Sequence, residues 1–291
     1  MKRIEESQLI VNSEGKIYHL DLRPENIADT IILVGDPQRV PKISKYFDKI
    51  EFKNINREIA THTGYINGKH LSVISTGMGT DNIDIILNEL DALANIDLNK
   101  RVVKEKHTSL NLIRLGTSGA VQKDIEIDSF AVSKYGLGLD GLLRYYDAST
   151  SVCEEEMLSE FYKQTDWPKD LSKPYVVKCT ENLLDKIGDG MIKGITATAP
   201  GFYGPQGRSL RLKLKYPDLI DRIGTYNFRG ERVINFEMET SALYGLGKML
   251  GHNVLTVCAV IANRITEKYS KDYQKTIKNL IELVLERVSA E

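Results

Sequence analysis

Three times in this chain a short apolar, β-branched run stops at glycine, and that recurrence narrows the folds open to it. Thr30-Ile31-Ile32-Leu33-Val34 ends at Gly35-Asp36-Pro37, followed by an amphipathic stretch over 40–47. Residues 71–75 enter Thr76-Gly77-Met78-Gly79, after which Ile83, Ile86, Leu87, Leu90 and Leu93 recur at helical spacing. Residues 112–115 enter Gly116-Thr117-Ser118-Gly119, another strand ending in a glycine turn. Further strands are expected over 129–133, 175–179, 191–198 and 253–261, and helices over 180–187, 210–216, 238–250 and 271–288. Such alternation predicts an α/β fold over 1–291, a single domain with a central, mostly parallel mixed β-sheet flanked by helices. In these sheets ligands bind beyond the carboxyl ends of the strands, where the glycine turns lie.

Charge sets the next limit. With 39 basic and 40 acidic residues the formal net charge is -1, too little to drive binding to nucleic acid or an anionic membrane, so any anion must be held locally. No apolar run approaches the ~20 residues that cross a bilayer, and the charged start Met1-Lys2-Arg3-Ile4-Glu5-Glu6 lacks a secretory apolar stretch, so a cytoplasmic protein is expected. Cys153, Cys179 and Cys258 are odd in number and without CxxC spacing, which argues against a disulfide framework or a zinc site. Residues 95–108 are polar and Lys-rich and read as a surface insertion; residues 163–173, with Trp167-Pro168, read as a second loop.

Four segments hold the side chains that chemistry needs. In Gly35-Asp36-Pro37-Gln38-Arg39 the free N–H groups of a helix start and a guanidinium favour an anion, although an ordinary turn with a solvated Arg39 fits the same residues. Arg114 sits in an apolar strand and is costly to bury unless it meets an anion or a structural carboxylate; Thr117 and Ser118 offer hydroxyls nearby. Phe202-Tyr203-Gly204-Pro205-Gln206-Gly207-Arg208 joins aromatic faces, an amide and a guanidinium, a set suited to a planar heterocycle or, more blandly, a Gly-Pro turn. In Asn235-Phe236-Glu237-Met238-Glu239-Thr240, at an expected helix start, the two carboxylates are not expected to point the same way. One of them faces a ligand or simply favours the helix dipole.

Gly136-Leu137-Gly138-Leu139-Asp140-Gly141 fits GxGxxG, but it lies mid-chain and no convincing long helix follows, so it reads as a decoy for a nicotinamide site. There is no GxxxxGK[ST], HExxH or GxSxG, and His19, His62, His70, His107 and His252 show no metal-ligand spacing.

Taken in order, these segments resemble the nucleoside phosphorylase superfamily, and most closely its uridine phosphorylase branch, from about His19 to the final helix. The resemblance implies phosphate binding by Gly35, Arg39, Arg114 and Thr117, with Arg57 contributed across a dimer interface. It implies base recognition by Phe202, Gln206, Arg208 and Arg264, and ribose binding by Met238, Glu239 and the His19 of a neighbouring subunit. Arg39, Arg114, Thr117 and Arg208 would carry the catalysis. Glu58, Met78 and Asn82 fall where some members hold a monovalent cation, potassium; no other cofactor is implied, phosphate being a co-substrate. Purine-specific relatives place an Asp at position 263, where this chain has Asn263, which cannot serve as their general acid.

The partners implied are a nucleoside, inorganic phosphate and further copies of the chain as a dimer or hexamer, with no nucleic acid and no membrane. Three departures stand out: Gly204-Pro205 in place of Pro-Gly, Asn82 in place of Ser, and the 95–108 insertion. The expected reaction is phosphorolysis of uridine or a related pyrimidine nucleoside to the base and ribose 1-phosphate. The alternatives are a purine phosphorylase, a methylthioadenosine-type nucleosidase and a catalytically silent nucleoside-binding protein.

Overall fold

The computed structural model describes residues 2–290. Its first half runs β1 (Thr30–Val34), α1 (Arg39–Ser44), β2 (Lys49–Asn56), β3 (Ile59–Ile66), β4 (Lys69–Ser75), α2 (Thr80–Asn95), β5 (Ile96–Asp97), β6 (Val102–Val103) and β7 (Asn111–Ala120). The rest runs β8 (Phe130–Gly138), α3 (Glu155–Thr165), β9 (Tyr175–Lys178), α4 (Glu181–Ile187), β10 (Ile192–Thr198), α5 (Leu219–Thr225), β11 (Asn227–Phe228), β12 (Glu231–Glu237), α6 (Thr240–Met249), β13 (Asn253–Asn263), β14 (Lys268–Tyr269) and α7 (Tyr273–Ser289). Among the described residues no helix is long and apolar enough to cross a membrane.

The sheet is mixed. β1 lies parallel between β4 and β7, β7 is parallel to β13, and β8, β10 and β12 are parallel to one another in that order, while β13 meets β8 antiparallel. β12 then turns back onto β7, pairing Asn235 with Ala120 and Phe236 with Gly119, which closes β12, β10, β8, β13 and β7 into a ring. This closure brings the end of β12 beside the end of β7, 117 residues earlier by the Phe236–Gly119 register. All five residues of β1 are buried, as a parallel strand covered on both faces requires. Leu87 and Leu90 of α2, Leu243 of α6 and Ile281 and Val284 of α7 supply the apolar cover, each fully buried side chain contributing ~1.5–3 kcal/mol.

Several expectations are corrected. Gly116-Thr117-Ser118-Gly119 is not a turn: it continues β7 and pairs with Cys258, Ala259, Val260 and Ala262 of β13. Residues 210–216 form bends instead of a helix, because Leu210 and Leu212 face solvent and have nothing to pack against. Gly136 and Gly138 of the decoy lie inside β8. A Cβ on Gly136 would approach Ser241 backbone at 3.0 Å and one on Gly138 would strike the Tyr175 ring at 2.2 Å, so close packing explains these glycines.

The 95–108 segment is a clasp as well as a surface feature. Asn95 Nδ2 donates to Thr108 O (3.1 Å) and Thr108 N–H donates back to Asn95 Oδ1 (2.7 Å), closing the base of the β5–β6 hairpin. Arg101, at φ 60° in its turn, is buried and donates to the carbonyls of Ile4 and Leu9, tying down the N-terminal arm. Trp167 of the second expected loop is likewise buried, 5.6 Å from the Phe161 ring of α3.

Candidate active site

A cleft of about 1070 Å³ opens where the carboxyl ends of β1, β4, β7, β10, β12 and β13 converge. Its floor is built on Arg114. The guanidinium is buried and folds back along its own strand, leaving no room for a side chain at Gly116, where a Cβ would lie 2.0 Å from Arg114 Nη1. Two carboxylates hold it: Glu239 bonds Nη2, and Glu237 Oε2 stands 3.4 Å from Nη1. Burial opposes the charge on Arg114, but Glu239 and Glu237 outweigh it and raise the guanidinium pKa above its ordinary value. Burial in turn raises the Glu239 carboxyl, against the attraction of Arg114.

That both glutamates reach one arginine corrects the expectation that they diverge. Residues 237–239 are not yet helical: Glu237 ends β12, residues 238–239 form a bend and α6 begins only at Thr240, so the two side chains are not held to the angular spacing of a helix. Glu237 also organises the turn. Its carboxylate accepts the N–H groups of Glu239 (3.0 Å) and Thr240 (2.9 Å) and the hydroxyl of Thr198 (2.7 Å), doing the work of an N-cap for α6. Gly79 N–H, after β4, donates to Glu239 Oε1 at 2.8 Å, so Glu239 is fixed from two sides.

Arg39 enters from the start of α1 and donates to Leu115 O at 3.0 Å. Burial, then the like charge of Arg114, lowers its pKa below the ordinary arginine value. Among the described residues no carboxylate forms an ion pair with Arg39, Arg208 or Arg264, although Asp36 favours the charge on Arg39 from farther away. The Thr117 hydroxyl faces the same space without a hydrogen-bond partner among the described residues, whereas the Ser118 hydroxyl is engaged by Asn235 Nδ2 at 2.8 Å and is structural. Gly35 completes this wall, its Cβ position 3.3 Å from Gly77 O. Burial pushes Cys258, next to Arg114, up to about 12, which keeps the thiol uncharged.

The opposite wall is the segment after β10, wound into a single turn of 3₁₀-helix at Gly204–Gln206. Arg208 lies over the Phe202 ring at 3.8 Å and donates to Gln206 Oε1 and Phe202 O, both at 2.7 Å. One face of Phe202 is therefore covered by its own loop, while the Gln206 amide N–H groups and a second lone pair on its oxygen remain available. Burial, then Arg264, pushes Arg208 down to about 10, leaving a cation at neutral pH that an anionic partner would stabilise. Arg264 bridges the loop to β13 through Gly207 O at 3.2 Å. A second, more apolar cavity of about 630 Å³ backs onto the loop beside Trp167 and Leu171, away from the Arg114 cluster.

Asn263, at the end of β13, is saturated. Its amide donates to Gln122 O (2.9 Å) and Ile125 O (2.7 Å), and its oxygen accepts from Ile265 N (2.9 Å) and Thr266 N (3.1 Å). An aspartate there would set a carboxylate against two carbonyl oxygens. Glu58, Met78 and Asn82 do share the cleft, but Asn82 Nδ2 donates to Met78 O at 3.0 Å. In this orientation the Asn82 amide turns an N–H donor, not an oxygen, towards the Met78 carbonyl.

All the candidate residues line this cleft except His19 and Arg57. Those two stand together elsewhere: Arg57, exposed and at φ 54° between β2 and β3, lies 5.6 Å over the Tyr18 ring, which meets His19 edge-on at 4.8 Å.

A family profile described as the Phosphorylase superfamily matches residues 29–289. The chain belongs to that superfamily. It is 32% identical to a uridine phosphorylase of Thermococcus kodakarensis over 90% of this chain and 83% of that protein. It is 28% identical to a DeoD-type purine nucleoside phosphorylase of Bacillus velezensis over 93% of this chain and 99% of the relative. A Trypanosoma brucei nucleoside phosphorylase, whose crystal structure is described as showing uridine phosphorylase activity, superposes with a TM-score of 0.88 at 32% identity, covering 97% of this chain and all of the other. Against the superfamily background, Glu237 and the Gly79 N–H are the parts of the site that reasoning from sequence missed. The two-residue spacing of Glu237 and Glu239 at the end of a β-branched run was the available signal.

Two of the histidines meet in space although their spacing in the chain gives no sign of it. Asp91, His107 and His252 converge within 4.8 Å, at the end of the sheet away from the cleft. Leu110 N–H donates to His252 Nδ1 at 3.2 Å, which leaves the ring proton on Nε2, 3.2 Å from Asp91 Oδ1 but outside hydrogen-bond geometry. A ring nitrogen that carries a proton cannot ligate, so the trio acts as a polar brace between α2, β7 and β13.

Proposed function

We propose that this phosphorylase-superfamily chain cleaves uridine, or a closely related pyrimidine nucleoside, with inorganic phosphate to give uracil and ribose 1-phosphate. The observation that carries the reading is the floor of the cleft: Arg39 outside any ion pair, Arg114 held beside Glu239, and the Thr117 hydroxyl without a hydrogen-bond partner among the described residues. Phosphate would be held by these three and the Gly35 turn, under the sugar. Glu239 would accept from the vicinal ribose hydroxyls, with Met238 against the ring.

One phosphate oxygen then bonds to C1′ as the bond from C1′ to the base nitrogen breaks, and the electron pair leaves with the base. Arg208 and the Gln206 amide would stabilise the charge that grows on the uracil carbonyls, with Arg264 holding the loop in place. Such an interaction is stronger in the transition state than in the ground state, which is what accelerates the step. No protein nucleophile is needed, because positioning two reactants in one cleft supplies much of the rate.

Nothing in the residues around Met78 calls for a monovalent cation. Arg57 and His19, outside their own cleft, would complete the cleft of a second copy, so the working unit is at least a dimer, acting in the cytoplasm. The purine reading draws on the DeoD-type relatives, but the saturated Asn263 offers no acid to a purine ring nitrogen. The test is ultraviolet-monitored cleavage of uridine, thymidine, inosine and adenosine with and without phosphate. Phosphate-dependent loss of uridine is expected; cleavage of inosine alone, or activity without phosphate, overturns the reading.

A further inference from the structure

Glu89, in the middle of α2, grips the N-terminal arm at a single point. Its carboxylate accepts the backbone N–H of His19 at 3.0 Å and of Leu20 at 2.8 Å, and lies 2.6 Å from His19 Nδ1. A carboxylate oxygen only accepts, so the proton in that short contact belongs to Nδ1, and in that tautomer of the ring the lone pair lies on Nε2. Nothing else in the chain takes it up: Nε2 has no hydrogen-bond partner among the described residues, and the His19 side chain is 31% exposed.

The presentation is rigid. Asn56 Nδ2 holds His19 O at 2.9 Å, the Tyr18 ring packs edge-on against the imidazole, and Arg101 of the β5–β6 hairpin secures the arm further back. Each of these contacts costs side-chain or backbone freedom, which is hard to account for in a solvent-facing ring with no task. His19 is also absent from its own cleft.

We propose that Glu89 is a positioning residue: it fixes the tautomer and direction in which His19, already assigned to the sugar of a second copy, offers Nε2 to the ribose hydroxymethyl group. The proposal rests on the nucleoside phosphorylase reading above. The choice of hydroxyl follows from sugar stereochemistry. In a β-nucleoside the vicinal hydroxyls and the attacking phosphate share one face, at the floor with Glu239 and Arg114. The hydroxymethyl group and the base share the other, towards the mouth, where a neighbouring chain can reach.

The test compares the full-length chain with Glu89→Gln, His19→Ala and the double variant, using uridine and 5′-deoxyuridine at saturating phosphate, with thermal melting of each protein. Glutamine is isosteric but can donate to Nδ1, which would move the ring proton to Nε2. Both single variants are expected to lose about tenfold in kcat/KM for uridine, the loss associated with one hydrogen bond, and the double variant no more. With 5′-deoxyuridine neither variant should differ from the parent, and the KM for phosphate should not move. A merely structural Glu89 would depress both nucleosides alike, and that result, or an unchanged uridine rate, overturns the proposal. Should Glu89→Gln fail to fold, Glu89→Asp keeps an acceptor and is expected to show a smaller loss confined to uridine; equal losses on both substrates again overturn it. Co-expressed His19→Ala and Arg114→Ala chains should form mixed assemblies whose kcat/KM for uridine exceeds that of either variant alone, and a value no higher than that of the His19→Ala chains refutes the second-copy assignment. Failure of the parent to cleave uridine with phosphate would sink the underlying reading instead.

Discussion

The two ends of the cleft are built on opposite plans. The phosphate floor consists of strand ends: Arg114 and Thr117 sit in β7, Glu237 closes β12, and backbone N–H groups lock the glutamates in place. The base wall is one short loop that satisfies itself, Arg208 bonding Gln206 and stacking on Phe202, with Phe202 half exposed. A site that must bind the same oxyanion in every turnover can be rigid, whereas a wall that admits and releases a base must exchange internal contacts for ligand contacts. The floor keeps its charge only because Glu237 and Glu239 are there already. The wall carries cations without counter-charges and waits for one.

This contrast makes substitutions at the floor costly and those at the wall modest. Arg114→Ala should have the largest effect. It removes the central phosphate donor, with an expected loss of about 10²–10³ or more in kcat, and it leaves two buried carboxylates unpaired at ~3–5 kcal/mol of stability. Steady-state kinetics and thermal melting check the two parts. Gly116→Ala follows: its Cβ position lies 2.0 Å from Arg114 Nη1, so the guanidinium must move. A displacement of that order is expected to cost about 10² in kcat/KM, seen mainly in the phosphate dependence.

At the wall, Arg208→Lys keeps the charge but loses the planar fork and the stacking on Phe202. The expected result is a rise of about tenfold in the nucleoside KM with the phosphate KM unchanged, and a matching rise in both would erase the distinction between the two ends. Asn263→Asp replaces two donated hydrogen bonds by repulsion and should destabilise the chain by ~1–3 kcal/mol in thermal melting, without creating inosine cleavage. The smallest effect is expected from replacing potassium by a bulky organic cation at constant ionic strength. The Asn82–Met78 contact predicts no change in rate, and a cation requirement would show that this amide turns over to present its oxygen.

Much of this was legible in the chain before folding. The runs at 30–34 and 192–198 read as strands because they are continuous, apolar or β-branched and bounded by turn residues, and the helices at 181–187 and 273–289 carry clear periodicity. The segments that misread share one cause, a local pattern decided by the presence or absence of a distant partner. Residues 210–216 have helical composition but no face to bury. Gly116 to Gly119 look like a turn, yet β13 and the returning β12 keep them extended, and the GxGxxG at 136–141 owes two of its glycines to Ser241 and Tyr175. The Lys-rich 95–108 segment looked solvated, but Arg101 inside it is buried on three carbonyls of the N-terminal arm.

Alone, the sequence determined which chemistry was available: guanidinium groups at Arg39, Arg114, Arg208 and Arg264, the Glu237 and Glu239 pair, and an Asn at 263 where an acid would have served purines. Those are facts of residue type and order, set by covalent structure. Tertiary structure decided how the groups are used. Closing β12 onto β7 turned both glutamates on one arginine, four hydrogen bonds committed the Asn263 amide to neighbouring backbone, and Glu89 holds His19 outside its own cleft. Charge pairing and tautomer choice depend on distances of a few ångströms between residues far apart in the chain, and only folding sets those distances.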